Sequence, residues 1–486
     1  MVRRRQTRLL AAASCLLLAG CATAKASRRS FQPSPAAPAS LTQWPQFGLD
    51  SQRLDATNAS PGIDPANLRR LKRITVTLPG TVDSSPLVLG SVPVLGRNRT
   101  VVIATSTYGR TFAIEAQTGR VLWSYTPPDF SRYAATSQLT NASPLFVPGE
   151  PYVYAPDPDG KIRKLSLQTG REVGDGFPVT VTTDPQREKL SSALGAVGPY
   201  LLVTTGGYYG DIPPYQGHLV VIERASGRIV SVFNALCSNR RYLLNPYRCP
   251  YSDSAIWSRA GAVVLPGDRE VAVVTGNGPY NARTAFGDSA LLLSLPHLSL
   301  RGTFTPTGQA YLDREDLDLG SGGPAVLSGR ELLLGGKDGL LRVVGVGRMR
   351  KRGLGGELQR LPTPGGAPLF TQPCVWHHNG RTKVFVADGA ATAAYRLRAG
   401  RLQPLWENRI PGTSPIFAGS LLYVYNPSSG GINVYLPRSP HPLLTLPGRP
   451  GHFNSPAVAA GVIAEPEGNG NEHLLRGQLE LFVVPR

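Results

Sequence analysis

The chain has 486 residues, of which 41% are hydrophobic and 17% charged, so it can bury a large core. Its 54 glycines and 44 prolines, against 2 methionines and 5 tryptophans, favour many turns between short strands and argue against long helices. The formal net charge of +19 suits an anionic partner or surface, and no segment after the N-terminus approaches the uninterrupted apolar length of a membrane-spanning helix.

The N-terminus has the pattern of a secretory signal peptide, which we predict over residues 1–20. A basic start is followed by an apolar stretch, Leu9 to Gly20, that is too short to span a bilayer as a stable helix. The stretch ends in LAGC, which resembles the bacterial lipobox and predicts lipidation of Cys21. An ordinary signal peptide that is cut elsewhere is the alternative. Because no Asp follows Cys21, the expected place is the periplasmic side of the outer membrane, where the cell has one.

The net positive charge of the chain indicates which classes of partner it could bind. Removal of the predicted signal peptide takes away four arginines and leaves a strongly basic chain. A secreted protein that is held to a membrane by a lipid anchor meets anionic lipids, anionic envelope polymers or acidic proteins, so we expect no nucleic acid partner. A solvated basic surface with no partner is equally compatible with the composition. We expect a monomer.

Residues 21–43 are rich in Ala, Ser and Pro and predict a flexible tether after the lipidated cysteine, with order beginning near Trp44. Farther along, Cys237 and Cys249 flank an eleven-residue polar loop, and an oxidising compartment would let them form a disulfide. Cys374 would then be unpaired, which is typical of a buried apolar residue.

A strand pattern repeats along the rest of the chain. Its first copy reads SSPLVLG (84–90) and then VVIATSTYGRTFAIEAQTGRVLW (101–123), which predicts four strands joined by tight turns. The glycine-led strand of this unit recurs in seven further copies. They lie at residues 160–173, 217–230, 287–300, 339–349, 389–406, 431–437 and 477–485.

The spacing of the copies predicts the fold. Eight copies at a mean interval of about 53 residues suit an all-β chain folded as an eight-bladed β-propeller of four-stranded blades. The last copy leaves no room for a closing strand, whereas LKRITVTLP (71–79) precedes the first copy and has no place in it. We therefore predict that residues 71–79 supply the outer strand of the final blade and close the ring.

The units resemble the pyrroloquinoline quinone (PQQ) type propeller repeat. Its pattern of Ser-Pro, a glycine-led alternating strand, Thr-Gly and Trp is visible at residues 85–123, and the resemblance covers residues 44–486. It implies the fold more strongly than a function, because the repeat occurs in quinoprotein alcohol dehydrogenases and in the propeller lipoprotein of the outer-membrane assembly machinery.

The resemblance to the dehydrogenases extends to four motifs in the same order: SAIWSRAG, TGNGPYNARTAFGDS, TPTGQAYLDREDLD and GGKDG. It implies that Trp257 is the platform on which the quinone stacks and that Asn277 is a calcium ligand. By the same resemblance Asp316 is the base and Lys337 contacts a quinone oxygen. Asp318 is a second acidic neighbour.

These roles form a coherent chemistry. Ca²⁺ would polarise the quinone carbonyl, Asp316 would take the alcohol proton as hydride moves to the quinone, and Lys337 would stabilise the developing charge. The sequence departs from the family in two respects. It has no adjacent cysteine pair, and the glutamate calcium ligand has no match, so that Asp211 stands as its substitute. It also has no Cys-x-x-Cys-His haem motif, so electrons would need a separate acceptor.

Every one of these residues also has a structural interpretation. Asn277 and Lys337 fall in sequences typical of turns, Trp257 could pack between blades, and residues 313–318 could form a solvated loop. Two hypotheses follow. In the first, which we prefer, the protein is a binding or scaffold propeller with a partly retained quinone pocket. In the second, it is a PQQ- and Ca²⁺-dependent dehydrogenase that oxidises alcohols or sugars.

Overall fold

The computed structural model describes residues 39–351 and 353–485. Its strands form eight antiparallel blades around a ring, so the predicted all-β, eight-bladed propeller is confirmed. The predicted signal peptide over residues 1–20, the lipidation of Cys21 and the tether as far as residue 38 lie outside the described residues.

The chain already packs against the propeller before Trp44, the residue at which the sequence predicts order to begin. Ser60 N donates a hydrogen bond of 2.8 Å to Ala39 O, and the side chain of Leu41 is buried. The last residues of the predicted tether are therefore part of the propeller.

Blades 1 to 4 contain four consecutive strands each, and three strands precede them in the chain. The early strands are β1 (Gln43–Trp44), β2 (Ala56–Thr57) and β3 (Lys72–Leu78). Blade 1 holds β4 (Leu87–Val94), β5 (Arg97–Thr105), β6 (Thr111–Glu115) and β7 (Val121–Tyr125); blade 2 holds β8 (Leu145–Phe146), β9 (Tyr152–Asp157), β10 (Lys161–Ser166) and β11 (Val179–Thr180). Blade 3 holds β12 (Gly195–Val197), β13 (Tyr200–Thr204), β14 (His218–Glu223) and β15 (Ile229–Asn234); blade 4 holds β16 (Val263–Val264), β17 (Glu270–Val274), β18 (Ala290–Ser294) and β19 (Leu300–Phe304).

Blades 5 to 8 continue the pattern; β3 completes blade 8, whereas β1 and β2 add a fifth strand to blades 1 and 7. Blade 5 holds β20 (Pro324–Val326), β21 (Glu331–Gly335), β22 (Leu340–Gly345) and β23 (Gln359–Pro362); blade 6 holds β24 (Cys374–His378), β25 (Arg381–Ala387), β26 (Thr392–Arg398) and β27 (Arg401–Asn408). Blade 7 holds β28 (Thr413–Ala418), β29 (Leu421–Tyr425), β30 (Ile432–Tyr435) and β31 (Pro442–Leu446), with β2 added beside β28; blade 8 holds β32 (Ala457–Ala459), β33 (Val462–Glu467), β34 (Gly477–Val483) and β3.

The ring closes as the sequence predicts. Strand β3 pairs antiparallel with β34 along its whole length, from Lys72 opposite Val483 to Leu78 opposite Gly477. The last blade thus takes its outer strand from the N-terminal part of the chain, which leaves neither strand with an open edge on that side.

The eight glycine-led copies are the third strands of the eight blades. The Trp that ends the first copy has a structural role, because Trp123 Nε1 donates a hydrogen bond of 2.9 Å to Leu167 O in blade 2. One copy departs from the prediction: the strand at residues 339–349 ends at Gly345, and a short helix, Val346–Met349, replaces the turn. This helix buries Met349 in the apolar cluster between blades 4 and 5.

An N-terminal crossing segment, residues 42–57, runs over the first strands of several blades. Backbone N–H groups of five of these strands or their turns donate to it. They are Gly90 to Thr42 O, Phe146 to Pro45 O, Val264 to Ser51 O, Val375 to Leu54 O and Phe417 to Asp55 O. Near its end Thr57 O accepts from Gly419, in the turn between the first two strands of blade 7. The segment therefore lies towards the end of the central channel at which the first strand of a blade turns into the second.

Helical structure is sparse in the described residues. The α-helices are α1 (Phe130–Tyr133), α2 (Gln309–Arg314) and α3 (Val346–Met349), and single 3₁₀ turns occur at Leu68–Arg70, Pro246–Arg248, Leu319–Ser321 and Gly470–Glu472. Within residues 39–351 and 353–485, none of these helices has the length and apolar character needed to cross a membrane.

The cysteines follow the prediction. Cys237 and Cys249 form a disulfide that closes the polar loop after blade 3. Cys374 is free and buried in β24, where its Sγ donates to Asp55 O over 3.3 Å. It therefore packs against the N-terminal crossing segment.

Candidate functional site

A cavity of about 720 Å³ opens at the channel end where the first strands begin and the loops between second and third strands lie. We call it the central pocket. All five residues predicted for the site line it: Asp211, Trp257, Asn277, Asp316 and Lys337. Its size is that of a small-molecule or cofactor site.

The TGNG sequence forms the start of the loop between β17 and β18, and its two glycines are required by close contacts. A Cβ on Gly276 would overlap the carboxylate of Asp318, and one on Gly278, which has φ 145°, would overlap Ser254. Between them Asn277 is held at its backbone: Asn277 N donates to Asp318 Oδ1 over 2.7 Å, and Asn277 O accepts from Ser254 N. The stretch is both a turn and a wall of the pocket.

Two carboxylates, one ammonium and one amide form the polar wall of the pocket. Lys337 Nζ lies 2.7 Å from Asp316 Oδ1 and 2.6 Å from Asp318 Oδ2. Asn277 Nδ2 donates to the same Asp316 oxygen over 2.9 Å. Asn277 Oδ1 is buried and has no hydrogen-bond partner among the described residues. This oxygen is therefore a buried acceptor with unused hydrogen-bonding capacity in a residue that lines the pocket.

The two carboxylates differ in environment. The Asp316 side chain is 66% exposed, whereas that of Asp318 is 10% exposed. Burial raises the pKa of Asp318 above its ordinary value, although Lys337 opposes the shift. Burial alone would lower the pKa of Lys337, but the attraction of Asp318 and Asp316 outweighs it and raises that pKa. The lysine is therefore held as a cation.

Trp257 begins an aromatic row that continues through Phe370 and Phe453 to His452. The ring centroids of Trp257 and Phe370 are 6.4 Å apart, and Phe370 stacks on Phe453 at 4.3 Å with an interplanar angle of 13°. His452 lies 4.0 Å from Phe453. Lys337 Nζ is 5.7 Å from the Trp257 ring centroid, within the range of a cation–π contact. The row gives this side of the pocket an aromatic lining, in which the Trp257 ring is inclined by 49° to that of Phe370.

Arg259 marks the opposite, basic end of the pocket. Its guanidinium pairs with the buried carboxylate of Asp83 and donates to Asp83 O at 3.0 Å and Asn141 O at 3.1 Å. His452 Nδ1 lies 3.2 Å from Asp83 Oδ2. Burial opposes ionisation of Asp83, but Arg259 and His452 outweigh burial and hold its pKa well below the usual range. These contacts join blades 1, 2 and 4 across the channel.

The predicted residues do not all form one cluster. Asp316, Lys337 and Asn277 share hydrogen bonds beside Trp257, whereas Asp211 is exposed and accepts from Tyr215 Oη over 2.8 Å. The described residues contain no group of three or more His, Cys, Asp or Glu side chains that could hold a metal ion. The roles assigned to these residues stay predictions.

The structural interpretation of residues 313–318 as a solvated loop is only partly right. Asp313 lies in α2 and Asp316 is exposed, but Asp318 is buried beneath them. The burial follows from its contacts, since Asp318 accepts from Asn277 N and Lys337 Nζ.

Several residues of the pocket were not identified from the sequence, although their position in the repeated unit could have indicated them. Asp83, Asn141, Phe370 and Phe453 each stand three residues before the proline that opens a blade. Trp257 holds the corresponding position in blade 4. Because the repeated first strands begin at the channel, the same position in each unit points to the same place. All except Asp83 line the pocket, and Asp83 contacts Arg259 there.

Comparison with known proteins supports the fold. A sequence profile of the family described as outer membrane protein assembly factor BamB matches residues 73–241, about a third of the chain. No curated protein matches the chain.

Several solved structures resemble the chain over most of its length. The quinohemoprotein alcohol dehydrogenase ADHIIG from Pseudomonas putida HK5 has a TM-score of 0.65 at 13% identity, over 91% of this chain and 80% of its own. A europium-containing methanol dehydrogenase has a TM-score of 0.64 at 14% identity, over 91% and 98%. BamB from Moraxella catarrhalis has a TM-score of 0.51 at 13% identity, over 85% and 97%. At these identities the likeness confirms the PQQ-like propeller fold and leaves the function open.

Proposed function

We propose that the protein is an extracytoplasmic propeller lipoprotein that acts as a binding or scaffold protein and takes a planar quinone-type ligand, such as PQQ, in its central pocket. The observation that carries the proposal is the meeting of Trp257, Asn277 and Lys337 in one cavity. The likeness to the quinohemoprotein alcohol dehydrogenase supports the ligand class, and the likeness to BamB supports the scaffold role.

The residues present fit a planar anionic ligand. Trp257 and Phe370 are half-buried and present aromatic surface, while Lys337 supplies a cation beside it. Asn277 Oδ1 is a buried acceptor without a partner in the described chain, which is the expected state of a group that waits for a ligand. A quinone cofactor, when bound, would supply a two-electron acceptor.

The fit to calcium is poorer. Ca²⁺ takes six to eight oxygen ligands, whereas the described side chains that line the pocket offer two buried oxygens without a partner, Asn277 Oδ1 and Asn141 Oδ1. Asp316 and Asp318 both pair with Lys337. A calcium ion would therefore have to displace the ammonium or draw most of its ligands from the bound molecule.

The same pairing favours binding over catalysis. Asp316 Oδ1 already accepts hydrogen bonds from Lys337 Nζ and Asn277 Nδ2, so this oxygen is not free to accept a proton from a substrate. The second candidate, a PQQ- and Ca²⁺-dependent dehydrogenase of alcohols or sugars, is favoured by the position of Asp316 on the pocket wall next to Trp257.

The test is a calorimetric titration of the purified chain with PQQ, with and without Ca²⁺, on wild type, Asn277→Ala and Trp257→Ala. Asn98→Ala, an exposed change in blade 1, is the control. We expect saturable binding that both pocket variants weaken at least tenfold and the control leaves unchanged. Equal binding by all four proteins, or none up to millimolar PQQ, would overturn the proposal.

The dehydrogenase candidate needs a separate measurement. Alcohol- and sugar-dependent reduction of an artificial electron acceptor by the PQQ-loaded protein should be absent if the protein only binds. If turnover occurs and Asp316→Asn abolishes it while PQQ binding is retained, the second candidate replaces the first.

Localisation and partners belong to the same proposal. We propose that the lipid on Cys21 holds the propeller on the periplasmic side of a bacterial membrane, where acidic proteins or anionic envelope polymers are its partners. Metabolic labelling with an alkyne fatty acid should mark the wild-type protein and not Cys21→Ser, and the variant should leave the membrane fraction. Equal labelling of both would exclude this anchor.

A further inference from the structure

Lys189 is a buried cation at the basic end of the central pocket that no predicted role uses. Its backbone is fixed by two hydrogen bonds, Lys189 N to Gly206 O at 2.7 Å and Gly206 N to Lys189 O at 2.9 Å. The residue is 8% exposed and lines the pocket. Its ammonium donates no hydrogen bond to any residue within 39–351 or 353–485, although an ammonium has three donors.

The charges around Lys189 do not balance. Asp83 is the nearby carboxylate that attracts it, but Asp83 already pairs with Arg259 and contacts His452. Arg259 repels Lys189, and the Tyr208 ring centroid lies 6.0 Å from its Nζ. At pH 7 two cations therefore face one carboxylate, which leaves one positive charge without a partner at the wall of the pocket.

An unpaired buried cation is costly, and here burial lowers the pKa of Lys189 to about 8. An anionic group of a ligand would remove this cost by supplying the missing counter-charge. The cation lies in the same cavity as the aromatic row, whose last member, His452, is 3.4 Å from the Arg259 guanidinium. A positive charge and aromatic side chains are thus offered to a ligand in one cavity.

We propose that Lys189 binds the carboxylate of an aromatic carboxylic acid whose ring system lies along Trp257, Phe370 and Phe453. One uncompensated positive charge matches a monoanionic group better than a doubly charged phosphate. This inference adds to the proposed function the anionic group of the ligand and the residue that binds it. It rests on the proposed function in one respect, that the central pocket is the ligand site.

The test compares quinoline-2-carboxylate with its neutral analogue quinoline-2-carboxamide by calorimetry on the full chain. At pH 7 we expect wild type to bind the carboxylate at least tenfold more tightly, since a charge-assisted hydrogen bond forms only with the acid. Lys189→Met should lose this preference. Lys383→Met, which removes one positive charge from blade 6, should keep it.

A pH series provides a second measurement that needs no variant at Lys189. The preference for the carboxylate should decrease as pH rises through about 8, where Lys189 loses its proton. Of the groups that face Lys189, burial raises the pKa of Tyr208 and Arg259 holds that of Asp83 low, so neither titrates in this range. A His452→Gln variant, titrated in parallel, separates any contribution of the imidazole.

The outcomes separate this inference from the proposed function. Equal affinity of wild type for both probes, an unchanged preference in Lys189→Met, or no binding of either probe up to about 10 mM would overturn the inference. If PQQ binds Lys189→Met as tightly as wild type, the quinone proposal stands and the anchor is wrong. If the aromatic carboxylate is preferred but PQQ does not bind, the anchor stands and the quinone proposal is wrong.

Discussion

Replacement of Arg259 by methionine should destabilise the whole propeller, because this side chain joins three blades across the channel. The Arg259 side chain is 8% exposed and that of Asp83 is 0% exposed, so the pair is buried. Removal of one member of a buried ion pair costs about 3–5 kcal/mol because the other charge stays behind. Asp83 would keep Asn141 Nδ2, Gly470 N at 2.9 Å and His452 Nδ1 at 3.2 Å. We therefore expect the lower end of the range, about 3 kcal/mol.

Guanidinium denaturation followed by circular dichroism and by tryptophan fluorescence measures this loss, and coincidence of the two curves tests whether the transition is two-state. Arg97→Met, an exposed change in blade 1, is the control. Asp83→Asn combined with Arg259→Met should cost at least 1 kcal/mol less than the sum of the single changes, because neither charge is then left alone. Additive changes, or a loss below about 1 kcal/mol in Arg259→Met, would refute the assignment of this pair as a structural tie.

The pH dependence of the free energy of unfolding provides a second test of the Arg259–Asp83 pair. Because Arg259 and His452 lower the folded-state pKa of Asp83, its stabilisation is present above the ordinary carboxyl pKa of 3.8 and is lost as pH falls towards the folded value. In Arg259→Met the folded pKa should rise, so wild type and variant should converge in stability as the pH is lowered. A gap that is constant from pH 7 to pH 3 would contradict this.

Three further predictions concern other parts of the molecule. Glu465 is buried with both carboxylate oxygens unpartnered, and burial raises its pKa. The stability of the wild type should therefore fall as pH rises above the ordinary carboxyl pKa of 4.5. In thermal melting, Glu465→Gln should be more stable than wild type by on the order of 1 kcal/mol at pH 8, with a smaller difference at pH 4. Gly276→Ala should displace the Asp318 carboxylate and weaken PQQ binding at least tenfold, whereas the fold should persist by circular dichroism. Reduction of the Cys237–Cys249 disulfide should lower the free energy of unfolding by about 2–3 kcal/mol through the entropy of a short loop, with a Ser pair at both positions as the reduced reference.

The architecture was predictable because each blade must bury the same strand pattern against its neighbours, so that the pattern recurs in the sequence. A glycine-led third strand recurs in all eight blades, and its spacing fixes the number of blades. A Trp that contacts the next blade recurs in blades 1 and 6, as Trp123 and Trp406. The N-terminal crossing segment was not predictable in this way. Its sequence carries no repeat, and it is held by backbone hydrogen bonds to strands that are distant in the chain, such as Val375 N to Leu54 O.

Part of the site was predictable for a different reason. Trp257, Asn277 and Lys337 follow the order of motifs in a known family, and the structure brings them into one cavity. The basic end has no such motif. Lys189 stands in KLSSALG, in the segment that precedes β12, and its lack of a counter-charge depends on how Arg259 and Asp83 pair across the channel. A local pattern cannot reveal a charge imbalance between blades.

The choice between binding protein and enzyme depends on Asp316. Its carboxylate is exposed, but one oxygen accepts from both Lys337 and Asn277, while the buried Asp318 holds the other side of the same ammonium. For Asp316 to act as a base, Lys337 must turn from it towards a ligand. Such a shift would leave Asp318, whose pKa is raised by burial, as the remaining partner of Lys337. The arrangement therefore opposes release of Asp316 unless the ligand itself is negatively charged at Lys337, and this condition is what makes ligand binding the first property to measure.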